Sequence, residues 1–183
     1  MNGRLLVVAA TRAEAAHVPD RLPVVVTGLG KTAAAVATTQ ALMETDRDGL
    51  TVVNIGSAGA LRAGVEGLHE VGTVINHDMN ADAVRALGYD PQDELVVGPS
   101  DVVLASGDVF VTDPVLRDAL ARRAHLVDME GYAVAFACAR LGVQVRLVKH
   151  VSDNADESAM DWPTLVDRSA RALGSWLAAE ASG

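Results

Sequence analysis

The sequence predicts an α/β fold, a three-layer αβα sandwich with a mostly parallel, twisted central sheet. Short apolar runs rich in valine alternate with helical patterns along the chain, which is typical of parallel strands connected by helices. Half of the 183 residues are hydrophobic but only 3% are aromatic, so small and β-branched side chains must form the core. No linker or repeat interrupts this pattern, and we expect one domain over residues 1–183.

Charge and composition exclude several classes of function. The net charge of −9 argues against an extended nucleic-acid surface, which needs clustered lysine and arginine. No segment reaches the roughly 18 apolar residues of a membrane span, and the run at 5–10 is too short for a secretory signal. The only cysteine, Cys138, cannot form an intrachain disulfide and is interpreted as a buried structural thiol, which favours a cytoplasmic protein.

The first strand is predicted at residues 4–10 (RLLVVAA). Thr11 has the character of a helix N-cap, and Glu14 completes a capping box three residues later. On spacing alone, Glu14 is interpreted as a capping residue rather than a catalytic one. A second strand at 23–27 leads through GLGKT into an alanine-rich helix that ends near residue 44. GLGKT is not a phosphate loop, because the motif requires glycine where Val25 stands.

The third strand, residues 50–55, ends in GSAGA at 56–60. Small residues at a strand end allow a ligand to approach the backbone, and Ser57 adds a hydroxyl, although a tight turn explains the same residues. After a fourth strand at 72–76, residues 77–98 predict a polar, solvated loop. No metal site is expected there, since His77 has no second histidine at ligand spacing.

Two acidic residues, Glu130 and Asp153, follow strands on either side of one predicted helix. Ligands of α/β sheets bind at such strand ends. Phe110, in the loop 107–111, is interpreted either as a packing residue or as a ligand platform. The elements predicted in this half are strands at 101–106 and 143–151, a short strand that begins at 126 and leads into a loop carrying residues 128–130, and helices at 114–123, 131–141 and 162–179. The first of these helices is capped by Thr112 or Asp113.

Five motifs occur in one order along the chain: VVVTGLGKTAAA, VVNIGSAGAL, SGDVFV, VDMEGYAVA and VSDNADE. Together they resemble the nucleoside phosphorylase/nucleosidase superfamily, most closely its methylthioadenosine/S-adenosylhomocysteine nucleosidases. The resemblance covers nearly all of the chain except about residues 77–100. It implies a mixed sheet wrapped by helices, hydrolysis of a purine nucleoside to free base and sugar without cofactor or metal, and usually a homodimer.

The resemblance also implies catalytic roles for three acids. Glu14 corresponds to the residue that activates the attacking water, and Asp153 to the general acid that protonates N7 of the departing purine. Glu130 corresponds to the carboxylate that binds the ribose 2′ and 3′ hydroxyls. These residue types suit the chemistry, because cleavage through an oxocarbenium-like state needs a protonated leaving group and a base for water.

The remaining site residues are expected around the substrate. By the same resemblance, Met129 packs beneath the sugar, Phe110 stacks on the base and the Val111 backbone reads the edge of the base. Ser57 and Ser152 are expected to support the residues that contact the substrate.

Several alternatives stay open at this point. Phosphorylases of the superfamily carry a glycine–aspartate–proline loop with an arginine near the first strand, and Arg12 is the residue here that leaves phosphorolysis open. The region between Tyr89 and Asp101 is shorter than in relatives, so the 5′ substituent is undecided, and the motif MEGY also resembles futalosine hydrolases. A non-catalytic nucleoside-binding homologue is a further reading. A dinucleotide-binding enzyme is disfavoured, because Ala33 replaces the third glycine of that motif.

Overall fold

The computed structural model describes residues 4–181. A mixed β-sheet lies between two layers of helices, as predicted from the sequence. The strands are β1 (Arg4–Ala9), β2 (Val24–Val26), β3 (Leu50–Ala60), β4 (Leu68–Glu70), β5 (Thr73–Asn76), β6 (Glu94–Val96), β7 (Val103–Ser106), β8 (Leu126–Asp128) and β9 (Gln144–Asp153). The helices are α1 (Lys31–Glu44), α2 (Ala81–Ala86), α3 (Pro114–Ala121), α4 (Gly131–Leu141) and α5 (Trp162–Glu180), with a 3-10 helix at Glu157–Asp161.

The central strand of the sheet is β3. The strand order is β2-β1-β3-β8-β7-β5-β6, and β9 pairs with both β3 and β4. Parallel pairs dominate, with antiparallel pairing only at β3–β8, β4–β9 and β5–β6 among the described strands. On one edge of β3, β1 pairs as far as Asn54 and β8 pairs again only at Gly59 and Ala60. A short unpaired edge of β3 therefore lies between the ends of β1 and β8.

Each face of the sheet packs against its own helices. In β1, Leu6 and Val8 belong to the core formed with α1 and α4, whereas Val7 and Ala9 belong to the core formed with α5. This alternation follows from the two-residue period of a strand. Each fully buried valine or leucine contributes about 1.5–3 kcal/mol to folding.

Several predicted elements are confirmed. Helix α4 has the predicted bounds and ends at Gly142, whose φ of 67° is the left-handed conformation that favours glycine at a helix C-terminus. Helix α3 begins at Pro114, and the Asp113 side chain accepts a hydrogen bond of 2.9 Å from the Val115 amide. Within residues 4–181 no helix is long and apolar enough to cross a membrane.

The prediction of a helix after Thr11 is wrong. Residues 11–19 form turns, although the hydrogen bonds of the capping box are present between Thr11 and Glu14. Tertiary contacts explain the difference, because this segment packs closely on α5. A Cβ atom at Gly174 would lie 2.2 Å from the carbonyl oxygen of His17.

Two further boundaries differ from the predictions. The third strand does not end near Ile55, because pairing with β9 holds its small residues in extended conformation as far as Gly59. The expected loop at 77–98 contains α2 and β6. The Asn80 side chain caps α2 by accepting from the Ala83 amide at 3.2 Å, and β6 pairs with β5 at the sheet edge. Both elements are too short to show a clear hydrophobic period.

Candidate functional site

A cavity of about 430 Å³ opens at the ends of β1, β8 and β9, beside the unpaired edge of β3. The structure brings all the residues proposed from the sequence to its wall, including those separated by more than a hundred positions. These residues are Glu14, Ser57, Phe110, Val111, Met129, Glu130, Ser152 and Asp153. The folded chain thus places the candidate residues together in one site, while their individual roles remain predictions.

Glu14 is buried in the wall and held by four hydrogen bonds. One oxygen, Oε2, accepts from the backbone amide and the hydroxyl of Thr11 at 3.2 and 3.1 Å. The other, Oε1, accepts from the amide and the hydroxyl of Ser57, both at 2.9 Å. The capping contacts and the position in the cavity therefore coexist, and the two readings of Glu14 do not exclude each other.

Ser57 connects Glu14 to a residue that was not predicted from the sequence. The indole Nε1 of Trp162 donates a hydrogen bond of 2.7 Å to Ser57 Oγ. Trp162 also lines the cavity at the beginning of α5. No sequence signal pointed to it, because a tryptophan on an amphipathic helix reads as a packing residue.

Glu130 lies on another wall, at the residue before α4. Its Oε1 accepts a hydrogen bond of 2.7 Å from the Gly30 amide, which anchors the loop before α1. Burial and the neighbouring carboxylate of Asp128 raise the pKa of Glu130 from 4.5 to about 7. Glu130 can therefore change its charge near neutral pH.

A buried ion pair lies behind these carboxylates. Lys149 is 1% exposed, and its Nζ contacts Asp128 Oδ2 at 2.8 Å and Asn54 Oδ1 at 2.7 Å. Gly56 allows this approach, since a Cβ there would lie 3.3 Å from Lys149 Nζ and 3.1 Å from Glu14 Oε1. Lys149 was not predicted as a site residue, although a lysine in a buried strand is a signal that the sequence contains.

Asp128 joins this pair to the start of α4. Its Oδ2 also accepts from the Gly131 amide at 2.9 Å, and its Oδ1 accepts from the Ser106 hydroxyl. The same Ser106 Oγ accepts from the Tyr132 amide at 2.9 Å. Two free amides at the N-terminus of α4 are thereby satisfied, which orients the helix that follows Glu130.

Asp153 ends β9 and faces the cavity beside Ser152. The Ser152 hydroxyl donates to Asp153 Oδ2 at 2.6 Å, and the Ala155 amide donates to Oδ1 at 2.9 Å. Close packing supports this arrangement, because a Cβ at Gly59 would lie 3.1 Å from Asp153 Oδ1. The carboxyl group has a defined orientation at the strand end.

Apolar side chains form most of the remaining wall. Val111 is buried, whereas Phe110 is 49% exposed at the cavity. Leu29 and Met160, which were not proposed from the sequence, add two more exposed apolar side chains to the lining. The cavity thus combines an apolar surface with carboxylates, a combination that suits a flat aromatic ring attached to a polyhydroxylated ring.

The basic residues considered in the sequence lie elsewhere. Arg12 is exposed and lies outside the cavity, and among residues 4–181 those that line the cavity include no lysine or arginine. Lys31 of GLGKT contacts Asn76 Oδ1 at 2.7 Å and forms an ion pair with Asp78. It therefore connects the start of α1 to the end of β5.

His77 lies beside Gly107, which directly follows β7. Its ring packs against the backbone, since a Cβ at Gly107 would lie 2.3 Å from Nε2, and burial lowers the pKa of His77. Among residues 4–181, no group of three or more His, Cys, Asp or Glu side chains is placed to hold a metal ion.

Comparison with known proteins identifies similar sequences and folds. An aminodeoxyfutalosine nucleosidase of Helicobacter pylori is 33% identical over 100 residues, which are 53% of this chain, and the match spans only 43% of that relative's length. A 5′-methylthioadenosine/S-adenosylhomocysteine nucleosidase of a Shewanella species is 28% identical over 173 residues, covering 76% of this chain and 71% of the relative.

The fold is that of a solved nucleosidase. The crystal structure of the Helicobacter pylori 5′-methylthioadenosine/S-adenosylhomocysteine nucleosidase, complexed with an amino-pyrrolopyrimidine attached to a pyrrolidine, matches with a TM-score of 0.84. The match covers 99% of this chain and 98% of that chain at 22% identity. At the level of sequence, residues 81–178 match the family described as the phosphorylase superfamily. Since this match extends over more than half of the chain, the protein belongs to the phosphorylase superfamily.

Proposed function

We propose that the protein is a purine nucleosidase that hydrolyses the N-glycosidic bond of a 5′-modified adenine nucleoside to free base and sugar. One observation carries the proposal: Glu14, Glu130 and Asp153 reach a single apolar cavity, each with a different set of hydrogen-bond partners. Three acids in three environments suit a reaction that needs a base, an acid and a ligand for the sugar.

The roles follow the direction of proton transfer. Water attacks the anomeric carbon and gives a proton to Glu14, while the glycosidic C–N bond breaks and its electron pair passes to the purine. Asp153 donates a proton to N7 of that purine, so the base leaves neutral. Glu130 accepts hydrogen bonds from the ribose hydroxyls and stabilises the positive charge that develops on the sugar.

The remaining lining residues hold the nucleoside in place. Phe110 stacks on the purine, the Val111 backbone reads its edge, and Met129 packs beneath the sugar. Ser57 and Ser152 support Glu14 and Asp153, with which they form hydrogen bonds.

Water is favoured over phosphate as the acceptor. A phosphate ion needs positive groups around it, and the cavity wall carries carboxylates without lysine or arginine, while Arg12 lies outside it. A second substrate class, the futalosines, is supported by the 33% identity to the aminodeoxyfutalosine nucleosidase. We favour methylthioadenosine or adenosylhomocysteine, because the match to that nucleosidase extends over more of the chain.

A chromatographic assay tests this proposal directly. Purified protein is incubated with methylthioadenosine, adenosylhomocysteine, 5′-deoxyadenosine and futalosine, each with and without phosphate. Equal release of base without phosphate, together with an unphosphorylated sugar, is the expected result. Release that requires phosphate would identify a phosphorylase, and ligand binding without any product would identify a nucleoside-binding homologue.

Replacing Asp153 by Asn should lower kcat by about 10²–10⁴-fold, because the amide cannot deliver a proton to the leaving base. The nearby exposed Asp161→Asn is the matched control and should retain turnover. Circular dichroism should show both variants folded. Near-normal kcat in Asp153→Asn would remove Asp153 from its proposed role.

We also propose that the protein acts in the cytoplasm as a homodimer. Exposed apolar side chains at the cavity, Leu29, Phe110 and Met160, support an assembly in which they are covered. Cys138 is consistent with a reducing compartment, because a single cysteine cannot form an intrachain disulfide. Sedimentation equilibrium at micromolar concentration should give twice the mass of the chain, and a monomer would contradict the assembly.

A further inference from the structure

A chain of two hydrogen bonds runs from helix α5 to Glu14. Trp162 Nε1 lies 2.7 Å from Ser57 Oγ, and Ser57 Oγ lies 2.9 Å from Glu14 Oε1. All three residues line the same cavity. The indole is therefore connected to Glu14, the proposed general base, through one intervening hydroxyl.

The direction of these hydrogen bonds follows from the chemistry of the groups. An indole N–H is only a donor, so Ser57 Oγ must accept from Trp162. The hydroxyl has a single proton, and Glu14 Oε1 is its acceptor. With the Ser57 amide and the two donors of Thr11, Glu14 then receives four hydrogen bonds that restrict its rotation.

Trp162 also belongs to the wall of the cavity in which the nucleoside is proposed to bind. It begins α5 directly after the 3-10 helix Glu157–Asp161, and its neighbours Met160 and Pro163 line the cavity too. The Trp162 side chain thus connects the apolar surface of the cavity to the Glu14 carboxylate, which lies on the opposite side of Ser57.

We propose that Trp162 is a positioning residue, whose indole N–H keeps the Ser57 hydroxyl directed at Glu14 and so holds that carboxylate in the geometry that accepts a proton from water. This inference rests on the proposed nucleosidase function. When a general base is held in place before the reaction, it does not have to be ordered in the transition state. Losing the indole N–H should therefore affect kcat more than KM.

A double-mutant cycle tests this coupling. Trp162→Phe keeps an aromatic wall but removes the donor, and we expect kcat to fall about tenfold with little change in KM. Ser57→Ala should lower kcat as well, and adding Trp162→Phe to it should cause no further loss. The matched control is Trp176→Phe, which alters the only other tryptophan and a ring that packs on Arg146. The proposal would be overturned if Trp162→Phe lowered kcat by the same factor in the Ser57→Ala protein as in the wild type.

A second measurement does not depend on turnover or on the folding of Trp162→Phe. The Trp162 indole N–H resonance is assigned in ¹⁵N-labelled protein by its persistence in Trp176→Phe. In Ser57→Ala it should move to lower proton chemical shift and exchange faster with solvent, while the Trp176 resonance stays unchanged. An unchanged Trp162 resonance would refute the hydrogen bond itself.

The two measurements separate this inference from the proposed function. If the wild-type protein releases no base from any nucleoside, the nucleosidase proposal fails. The positioning role is then decided by the indole resonance in Ser57→Ala: a shift of that resonance supports the hydrogen bond on which the role depends, and an unchanged resonance overturns it.

Discussion

Glu14 and Glu130 are carboxylates of one cavity with different surroundings. In the described part of the chain, four donors surround the Glu14 carboxylate, whereas one backbone amide donates to the Glu130 carboxylate, which lies next to the negative charge of Asp128. Burial and that charge raise the pKa of Glu130 to about 7, while Lys149 acts in the opposite direction. At the scale of single residues, burial and the charge of Asp128 make Glu130 an acid that can change its charge near neutral pH.

Nucleoside binding should therefore depend on pH through Glu130. In the proposed role of Glu130, the ionised carboxylate accepts hydrogen bonds from the ribose hydroxyls, and this ionised form arises as pH rises through about 7. We expect affinity for an uncharged, non-hydrolysable nucleoside analogue to rise about tenfold per pH unit below pH 7 and to level off above it. Calorimetric titrations at several pH values measure this. Glu130→Gln should bind weakly with no such rise, and a pH-independent affinity in the wild type would contradict the role.

At the scale of elements, the ion pair of Lys149 and Asp128 holds three strands together. Lys149 lies on β9, Asp128 ends β8, and Asn54 on β3 accepts the remaining hydrogen bond shown for the ammonium group. Both charged side chains are 2% exposed. The contact spans the region where β3 has no strand partner on one edge, so it replaces strand pairing with side-chain contacts.

Replacing Lys149 by Met should destabilise the protein by about 3–5 kcal/mol, because Asp128 would remain as a buried charge without its partner. Denaturant unfolding monitored by circular dichroism measures the change. The exposed pair of Arg171 and Asp167 on α5 provides the control, and Arg171→Met should change stability little. Equal effects of the two substitutions would show that burial does not determine the contribution of the Lys149 pair.

At the scale of the whole molecule, Glu130 links stability to pH with a sign opposite to that of binding. Its pKa is about 7 in the folded protein and near 4.5 when unfolded, so the folded state binds more protons between these values. Stability attributable to Glu130 is therefore present at low pH and lost as pH rises toward 7.

Urea unfolding of the wild type and of Glu130→Gln at pH values from about 4.5 to 8 tests this linkage. The free energy of unfolding of the wild type should fall relative to the variant by about 3 kcal/mol across that interval. Taking the difference between the two proteins removes the contributions of other groups, such as Asp78, whose pKa is lowered by Lys31 and by the Asp108 amide against the effect of burial. Parallel pH dependence of the two proteins would show that Glu130 titrates alike in both states.

The sequence predicted the elements with long hydrophobic periods or clear caps. Helix α4 was predicted at its observed bounds, and Pro114 with Asp113 marked the start of α3. Prediction from the sequence failed where the length of an element or its tertiary packing determined the structure. Six residues of α2 carry too few turns for a period, and the segment after Thr11 forms turns because it packs on α5.

The order of strands and helices, the motifs and the residue types of the candidate site were determined by the sequence alone, because they depend on local periodicity and on similarity to a known family. Tertiary structure alone decided which partners these residues receive. The Trp162 indole on Ser57 and the Lys149 ammonium on Asp128 join positions far apart in the chain. Such contacts leave no local pattern, since they depend on how strands and helices pack, and they determine how the acids of the cavity are oriented and charged.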